Sequence, residues 1–585
     1  MTRILLACVL AAASDLPLSA QVTTRLSNTP AGAQANQDAL HPWISGDGRF
    51  VVFESAADNL VAGDTNANSD VFRLDLVLGT IECASVDSSG APGNLWSGQA
   101  SIPDDGMRVV FLSAATSLVA GDTNGQLDVF LHDFSGGQTR RVSVAPGGVQ
   151  LAQASSSPVI SADGQHVAFA SASSLLVPGD TNGNLDVFVV DLSSGWIQRA
   201  SVGTGGVQGN QDSDVPALSA DGRWVAFQSP VNFVAGDTNF ASDVFVHDCV
   251  TGTTLRASVD SAGLGGVGAS ASPSLSADGR CVAFASRSQL AAADLNGYWD
   301  VYVRDLVAGT TELASVGLAG GQSGGDSTWP SLSADGRLVA FESLANALVG
   351  GDTNLKSDVF LHDRVLGTTL RASLRNDGGQ GNGESTAARL SSDGRTLVFQ
   401  SGSDNLVGPD ANLAIDVFAR SAPVQAEAFC FGDGSQPTAC PCSNFGFPGN
   451  GCDNSLGTGG ANLTASGAPL PDSIVLSATG ELPSSLSIFL QGDLELGPGT
   501  WFGDGVRCVG GALKRLYSKN AVNGSVSAPG AGELGVRARS TQLGDAIPIG
   551  STRSYQVYYR DPDASFCTPP FGNTWNVSNG VRIRW

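Results

Sequence analysis

An Asp-Gly pair recurs at a nearly constant interval along the 585-residue chain, at Asp47, Asp105, Asp163, Asp221, Asp278, Asp335 and Asp393. The intervals are 58, 58, 58, 57, 57 and 58 residues. Self-similarity at one fixed period means a repeat architecture, in which each unit buries its apolar surface only against its neighbours. Taking the repeat around Asp278, four short strands fit. Strand a is Ser274-Leu275-Ser276, Asp278-Gly279 is a tight hairpin turn, strand b is Cys281 to Ala285, strand c is Asp300 to Asp305 and strand d is Thr311 to Val316. Strands b and c are rich in Val, Phe and Ala. No segment has helical periodicity.

Four-stranded units in seven copies fit a β-propeller, whose radial repetition leaves few open edges. The ends of the repeat region point to closure. Val22-Thr23-Thr24-Arg25-Leu26-Ser27 reads as a lone strand d, comparable to Thr253-Thr254-Leu255-Arg256-Ala257-Ser258, while the last unit stops after strand c, Asp416 to Arg420. Pairing the first strand with the last unit closes the ring and removes two open edges. The expected architecture is all-β: a signal peptide over 1–20, a seven-bladed propeller over 21–420, a linker over 421–429 and a Cys-rich β-sandwich over 430–585.

The S-x-D-G-R-x-V-A-F pattern followed by D-V-F-V-x-D resembles the WD40-like repeats of the TolB family of exported propellers. The resemblance covers about residues 22–420. It implies the fold, and a propeller hosts unrelated activities. The chain departs from that family by a longer b–c loop.

Each of those loops carries D-x-N-x-x-x-D. The triplets are Asp64/Asn66/Asp70, Asp122/Asn124/Asp128, Asp180/Asn182/Asp186, Asp237/Asn239/Asp243, Asp294/Asn296/Asp300, Asp352/Asn354/Asp358 and Asp410/Asn412/Asp416. Oxygen side chains in this spacing suit a hard cation such as Ca²⁺, which makes these 21 residues the candidate metal ligands. The same residue types cap turns on their own backbone with no metal, and both roles repeat with the unit. An EF-hand is excluded. The acid at the twelfth position lies beyond strand c, about 16 Å from the seventh. These twelfth-position acids (Asp75, Asp133, Asp191, Asp248, Asp305 and Asp363) are expected to pair across the c–d hairpin with Arg141, Arg199, Arg256 and Arg371.

Charge follows the loops. Residues 21–429 hold 43 acids and 20 bases, against 11 and 10 in residues 430–585. The net charge of −24 disfavours nucleic acid and anionic membrane surfaces, because phosphate would be repelled. The b–c loops share one face with the Gly- and Ser-rich d–a loops. That acidic face is the expected site for a protein or glycan ligand.

Enzyme signatures give little. Gly321-Gln322-Ser323-Gly324-Gly325 matches a nucleophile elbow without the strand–turn–helix context. Gly263, Gly265 and Gly268 match G-x-G-x-x-G without a dinucleotide unit. His132, His247 and His362 share one repeat position, and His41 and His166 stand alone. Paired carboxylates for glycoside hydrolysis have candidates on the acidic face, although no unit breaks the repeat with an obvious catalytic residue.

Arg3, the apolar run Ile4 to Ala13 and Leu18-Ser19-Ala20 read as a secretory signal, so the protein is expected to be exported. The cysteines Cys430, Cys440, Cys442, Cys452, Cys508 and Cys567 then imply up to three disulfides. Strand-like segments span Ser473 to Ala478, Leu486 to Gln491, Val506 to Leu516, Gly535 to Arg539, Tyr555 to Arg560 and Gly580 to Trp585. Phe429 to Gly434 (F-C-F-G-D-G) and Tyr555 to Pro562 resemble the ends of Cys-anchored terminal domains of exported bacterial proteins, which implies attachment or sorting. The sequence is thus read as an exported, monomeric, non-enzymatic binding or scaffold protein with no membrane span, stabilised by Ca²⁺. The alternatives are a carbohydrate-acting enzyme and a structural adhesin.

Overall fold

A computed structural model describes residues 22–585 apart from 318–319, 321–323, 409, 422–425, 436, 468, 470–471, 531, 549–550, 564–565 and 567–573. The expected signal segment and Gly321, Gln322 and Ser323 of the elbow-like motif lie outside the described residues. Among those residues, seven sheets each contain four antiparallel strands. In the fifth repeat strand a is Ser270–Leu275, b is Cys281–Ser286, c is Asp300–Asp305 and d is Thr310–Leu313. Strand a therefore starts earlier than the apolar pattern suggests, and strand d ends three residues sooner. Strand a carries a register shift between Ala271 and Ser274, and a bulge of this kind erases the two-residue alternation on which sequence patterns rely.

Strands b and c are buried on both faces because each sheet packs between two others. Ala283 joins Val339 and Phe341 of the sixth repeat, whereas Val282 and Phe284 join Val244 and Val246 of the fourth. At each sheet's centre a strand-b aromatic faces a strand-c aromatic, as in Phe341–Phe360 at 5.8 Å and Phe399–Phe418 at 5.7 Å. The Asp-Gly turns work through both residues. Asp278 accepts from Ser276 Oγ and Arg280 N, and Gly279 takes φ +70°, a conformation that glycine adopts without strain.

The first strand, Val22–Arg25, pairs with Asp416–Ser421, strand c of the last repeat. A core cluster joins Val51 and Phe53 of the first repeat to Val398 and Val417 of the seventh. The chain is thus a β-propeller whose first strand completes its last sheet.

The C-terminal unit begins within the stretch read as a linker. Ala426–Phe429 pairs with Gly580–Arg584 and opens a six-stranded sheet. A three-stranded sheet of Asn462–Ser466, Val475–Thr479 and Ser525–Ala528 shares its core, with Leu463 and Leu476 beside Phe489 and Tyr555. Two expectations are corrected here. Val506 to Leu516 is not one strand but the end of Gly505–Gly510 and the start of Lys514–Asn520. Gly535 to Arg539 is not a strand but the cap and first turn of helix α1, Val536–Gln542. There Asp472 Oδ2 accepts from Arg537 N and Ala538 N, a long-range cap that no local pattern announces. Disulfides link Cys430 to Cys508 and Cys440 to Cys452. The Cys442 side chain and Cys567 lie outside the described residues. No helix among the described residues is long and apolar enough to cross a membrane.

Candidate ligand site in the central channel

The acidic loops are built from one repeated set of contacts. Sequence spacing aims the side-chain oxygens of Asn66, Asn124, Asn182, Asn239, Asn296, Asn354 and Asn412 at a cation. The structure gives each of them a backbone partner: the oxygen accepts from the N–H two residues on, at 2.7 Å for Asn66, 3.0 Å for Asn124, Asn182 and Asn239, 2.8 Å for Asn296, 2.9 Å for Asn354 and 3.2 Å for Asn412. This is an Asx turn, which a short polar side chain forms on its own backbone. In six repeats the amide also donates to a carbonyl of the following d–a loop: Asn66 to Gly93 O, Asn124 to Leu151 O, Asn182 to Gly209 O, Asn239 to Gly266 O, Asn354 to Gly381 O and, across the ring closure, Asn412 to Ala35 O. The two loop types are thereby tied together on one face. The amides of Asn66, Asn124, Asn182 and Asn354 donate in addition to the strand-c carboxylates Asp70, Asp128, Asp186 and Asp358. A donor directed at the carboxylate occupies a lone pair that a cation would need. At the other end of the turn, Asp294 accepts from Asn296 N at 3.1 Å, and Asp410 accepts from Asn412 N and Leu413 N.

The loop carboxylates meet arginines. Arg141 lies 3.2 Å from Asp122 and 3.0 Å from Asp128. In the same way Arg199 bridges Asp180 and Asp186, Arg256 bridges Asp237 and Asp243, and Arg371 bridges Asp352 and Asp358. Those arginines were expected to meet the twelfth-position acids instead. The register decides otherwise. Arg141 sits opposite Phe130, two residues from Asp128, and Asp133 sits opposite Gln138. Asp133 pairs with Arg108 from strand b, as Asp75 does with Arg49 and Asp248 with Arg223.

Two repeats lack the strand-d arginine. Leu313 replaces it in the fifth, where the Tyr302 hydroxyl donates to Asp294 and Ser315 donates to Asp300. Cys83 replaces it in the first. There burial pushes the Asp70 carboxyl up to about 6, against the hydrogen bonds from Ser85 and Asn66, and burial also raises Asp64. Among the described residues no group of three or more His, Cys, Asp or Glu side chains converges as a metal-binding cluster.

Sequence reasoning missed a second feature, the central channel. The a strands of all seven repeats line a cavity of about 600 Å³. Each contributes one non-glycine residue in left-handed conformation at its bulge: His41, Gln99, Ser157, Val215, Ser272, Trp329 and Ala387, with φ between 47° and 55°. Backbone strain repeated around one cavity marks a feature that the surrounding structure enforces.

One end of the channel is narrowed by a ring of backbone hydrogen bonds between successive a–b turns. Asp104 N donates to Ala162 O, Ala220 N to Ala277 O, Ala277 N to Ala334 O, Ala334 N to Ser392 O, and Ser392 N returns to Gly46 O at 3.1 Å. The Asp104 side chain lies across this floor and accepts from Ser392 Oγ at 3.1 Å. A Cβ on Gly46 would stand 1.6 Å from its Oδ1, so a larger residue there would push the Asp104 side chain off the floor. Burial raises the Asp104 carboxyl above its usual range.

The wall breaks the repeat. The fifth residue of strand b is Glu54, Leu112, Ala170, Gln228, Ala285, Glu342 and Gln400 in the seven units. The four polar ones reach the next sheet and accept from its bulge N–H: Glu54 from Gln99 at 2.8 Å, Gln228 from Ser272 at 3.0 Å, Glu342 from Ala387 at 2.9 Å and Gln400 from His41 at 2.7 Å. Gly98 leaves room for Glu54, because a Cβ there would stand 1.9 Å from its Oε2.

Charge therefore gathers on one side. His41 Nδ1 lies 2.7 Å from Glu54 Oε1, so this histidine does not stand alone, and the hydrogen bond raises the imidazole above its usual range. The Arg389 guanidinium stacks 4.6 Å from the centre of the Trp43 ring and donates to Ala388 O. Burial brings it down to about 10, with the Glu342 carboxylate opposing. Pro42, Pro158, Pro216, Pro273 and Pro330 follow the bulges of five strands around the same cavity. The result is a largely apolar cup with Arg389, Glu342 and the His41–Glu54 pair gathered on one side, a form that suits ligand binding.

No protein-family profile matches the chain, and no curated protein sequence matches it. Among solved structures it is similar to TolB from Acinetobacter baumannii, with 16% identity and a TM-score of 0.32 over 52% of this chain and 59% of that one. It is similar to a protein described as TolB from Agrobacterium tumefaciens, with 18% identity and a TM-score of 0.29 over 47% of this chain and 80% of that one. It is also similar to a puromycin-hydrolysing peptidase of Mycobacterium tuberculosis, with 14% identity and a TM-score of 0.39 over 69% and 56%. The matched stretch spans about six-tenths of the Acinetobacter protein's length. The fold of this chain, on its own seven four-stranded sheets and ring-closing first strand, is a β-propeller followed by a disulfide-linked β unit.

Proposed function

We propose that this chain is an exported, seven-bladed propeller that acts as a binding scaffold and takes its ligand into the central cup from the loop face. The observation that carries the reading is the position held by Glu54, Gln228, Glu342 and Gln400. At this position the repeat varies between carboxylate, amide and apolar side chains; Glu342 and Gln400 line the channel, while Glu54 and Gln228 accept from the N–H groups of Gln99 and Ser272, which line it. Packing alone favours one small residue in every unit, as at Ala170 and Ala285.

The C-terminal unit is read as a β-sandwich that attaches or sorts the propeller. Its two disulfides support an oxidising destination. A net charge of −24 keeps copies apart and supports a monomer. The arginine-bridged loops are clamps on the propeller face. Calcium, expected from the spacing, is proposed at the loop of Asp64, Asn66 and Asp70, where Cys83 takes the place of the guanidinium and a cation would displace the Asn66 amide from Asp70.

The test is a glycan and peptide array probed with the wild-type chain and with Arg389→Ala. A ligand bound by the first and lost by the second supports the cup. Turnover of an array glycan, with a new reducing end, supports the carbohydrate-acting enzyme instead. Ligands that bind both proteins equally remove the channel from the account.

A further inference from the structure

The residue that follows the Asn of the Asx turn has left-handed backbone in six loops. It is Ala67 (φ 55°), Gly125 (62°), Gly183 (66°), Phe240 (55°), Leu355 (58°) and Leu413 (57°). Six of the seven turns take this conformation, the fifth forming with Gly297 outside it, and glycine meets it without penalty. A leucine or phenylalanine there is strained by its own Cβ. Burial would offset the strain, but these side chains are not buried. Phe240 is 82% exposed, Leu355 77% and Leu413 78%. In the fifth repeat the same loop exposes Leu295 by 76%. Val267, 91% exposed, adjoins Gly266, whose carbonyl receives the amide of Asn239, so it stands beside Phe240.

Single exposed apolar residues are ordinary, whereas a contiguous series calls for a reason. Here large residues occupy this position in the fourth, sixth and seventh repeats, and the fifth, with Gly297 there, exposes Leu295 two residues before it, while the first three carry Ala67, Gly125 and Gly183. Three of the tips hold a conformation that gives them nothing in the free protein.

The charge around them limits what can cover them. Residues 21–429 carry a net charge of −23, and Lys356 is their one lysine, itself 3.8 Å from Glu384. A second copy and an anionic bilayer are repelled by such a face, and a basic surface is attracted. We propose that Phe240, Val267, Leu295, Leu355 and Leu413 form an arc that docks a protein partner whose contact face sets basic side chains around apolar pockets. This surface is separate from the cup, and neither reading depends on the other.

The test compares the full-length chain with the triple variant Phe240→Gly, Leu355→Gly, Leu413→Gly and with Arg389→Ala. The probe is a phage-displayed library of random dodecapeptides selected on the wild-type chain. The expected peptides combine Lys or Arg with Leu, Phe or Trp, bind the triple variant about tenfold more weakly, and bind Arg389→Ala unchanged. The triple variant is also expected to melt at a higher temperature, because strain is relieved. Peptides that bind the triple variant as well as the wild type overturn the proposal, and so does a lower melting temperature, which would make the tips structural. Tip-dependent pelleting with phosphatidylcholine vesicles, or tip-dependent dimers in ultracentrifugation, would replace the protein partner by a lipid surface or a second copy.

Discussion

Arg25 and Asp416 form an ion pair, Nε to Oδ2 at 2.8 Å, with both side chains almost fully buried. Ser27 Oγ donates to the other oxygen of Asp416 at 2.5 Å. In the second repeat the equivalent partners of Asp128 are Arg141 and Ser143, from that repeat's own strand d. The first strand therefore supplies the last sheet with the arginine and serine that it lacks, as well as with backbone pairing.

Arg25→Ala is expected to destabilise the propeller by about 3 kcal/mol at pH 8, because one partner of a buried pair is left alone. Burial already holds the Asp416 carboxyl at about 6, against Ser27 and Arg25. A carboxyl raised on folding binds its proton more tightly in the folded state. That contribution is complete below about pH 4 and is lost as pH rises through 6. The variant should thus lie near the wild type at pH 4.5 and well below it at pH 8. Urea denaturation at the two pH values reads the difference, and adding Asp416→Asn should restore part of the loss at pH 8.

Cys83→Arg places in the first repeat the guanidinium that five other repeats possess, as Arg25, Arg141, Arg199, Arg256 and Arg371. It is expected to bring Asp70 down from about 6 and to stabilise the chain by about 1 kcal/mol at pH 7, with a smaller gain at pH 4.5, where the wild-type Asp70 is largely protonated. The same variant tests calcium. A melting shift with CaCl₂ over EGTA should appear in the wild type and vanish in Cys83→Arg. No shift in the wild type removes calcium from this loop.

Glu54→Gln is expected to lower the His41 titration point, because the hydrogen bond to the carboxylate is the largest cause of its raised value. In the wild type the imidazolium persists above pH 6.5 and is lost as pH rises through the raised value. Proton NMR of the His41 ring follows both curves. An unchanged titration would show that the pair does not form in solution.

Cys430→Ser with Cys508→Ser opens a 78-residue loop closed by one disulfide. A loss of about 3 kcal/mol is expected, confined to the C-terminal unit. Calorimetry should show one transition falling and the propeller transition unmoved. A shift in both would mean that the two units unfold together.

The chain alone determined the repeat and its consequences. A 57- or 58-residue period, Asp-Gly turns and the Val/Phe-rich strands b and c are local signals, since each unit must form its own hairpins. The offset of one strand between Val22 and Arg420 was equally legible, because it is a matter of counting. Tertiary structure decided what depends on contacts between sheets. The bulge in strand a has no fixed residue, as His41, Ser157 and Ala387 all occupy it. The partners of Glu54, Glu342 and Arg389 lie on neighbouring sheets, so only the ring's geometry assembles a charged wall from them. The spacing of Asn182, Asn296, Asn354 and Asn412 suited a ligand and a turn equally, and the hydrogen bonds of the folded loops gave their oxygens to the backbone. The pairing of Arg141 with Asp122 and Asp128 was hidden by a hairpin register that a shift of two residues would have changed. Sequence names the side chains, and the closure of the ring decides which of them meet.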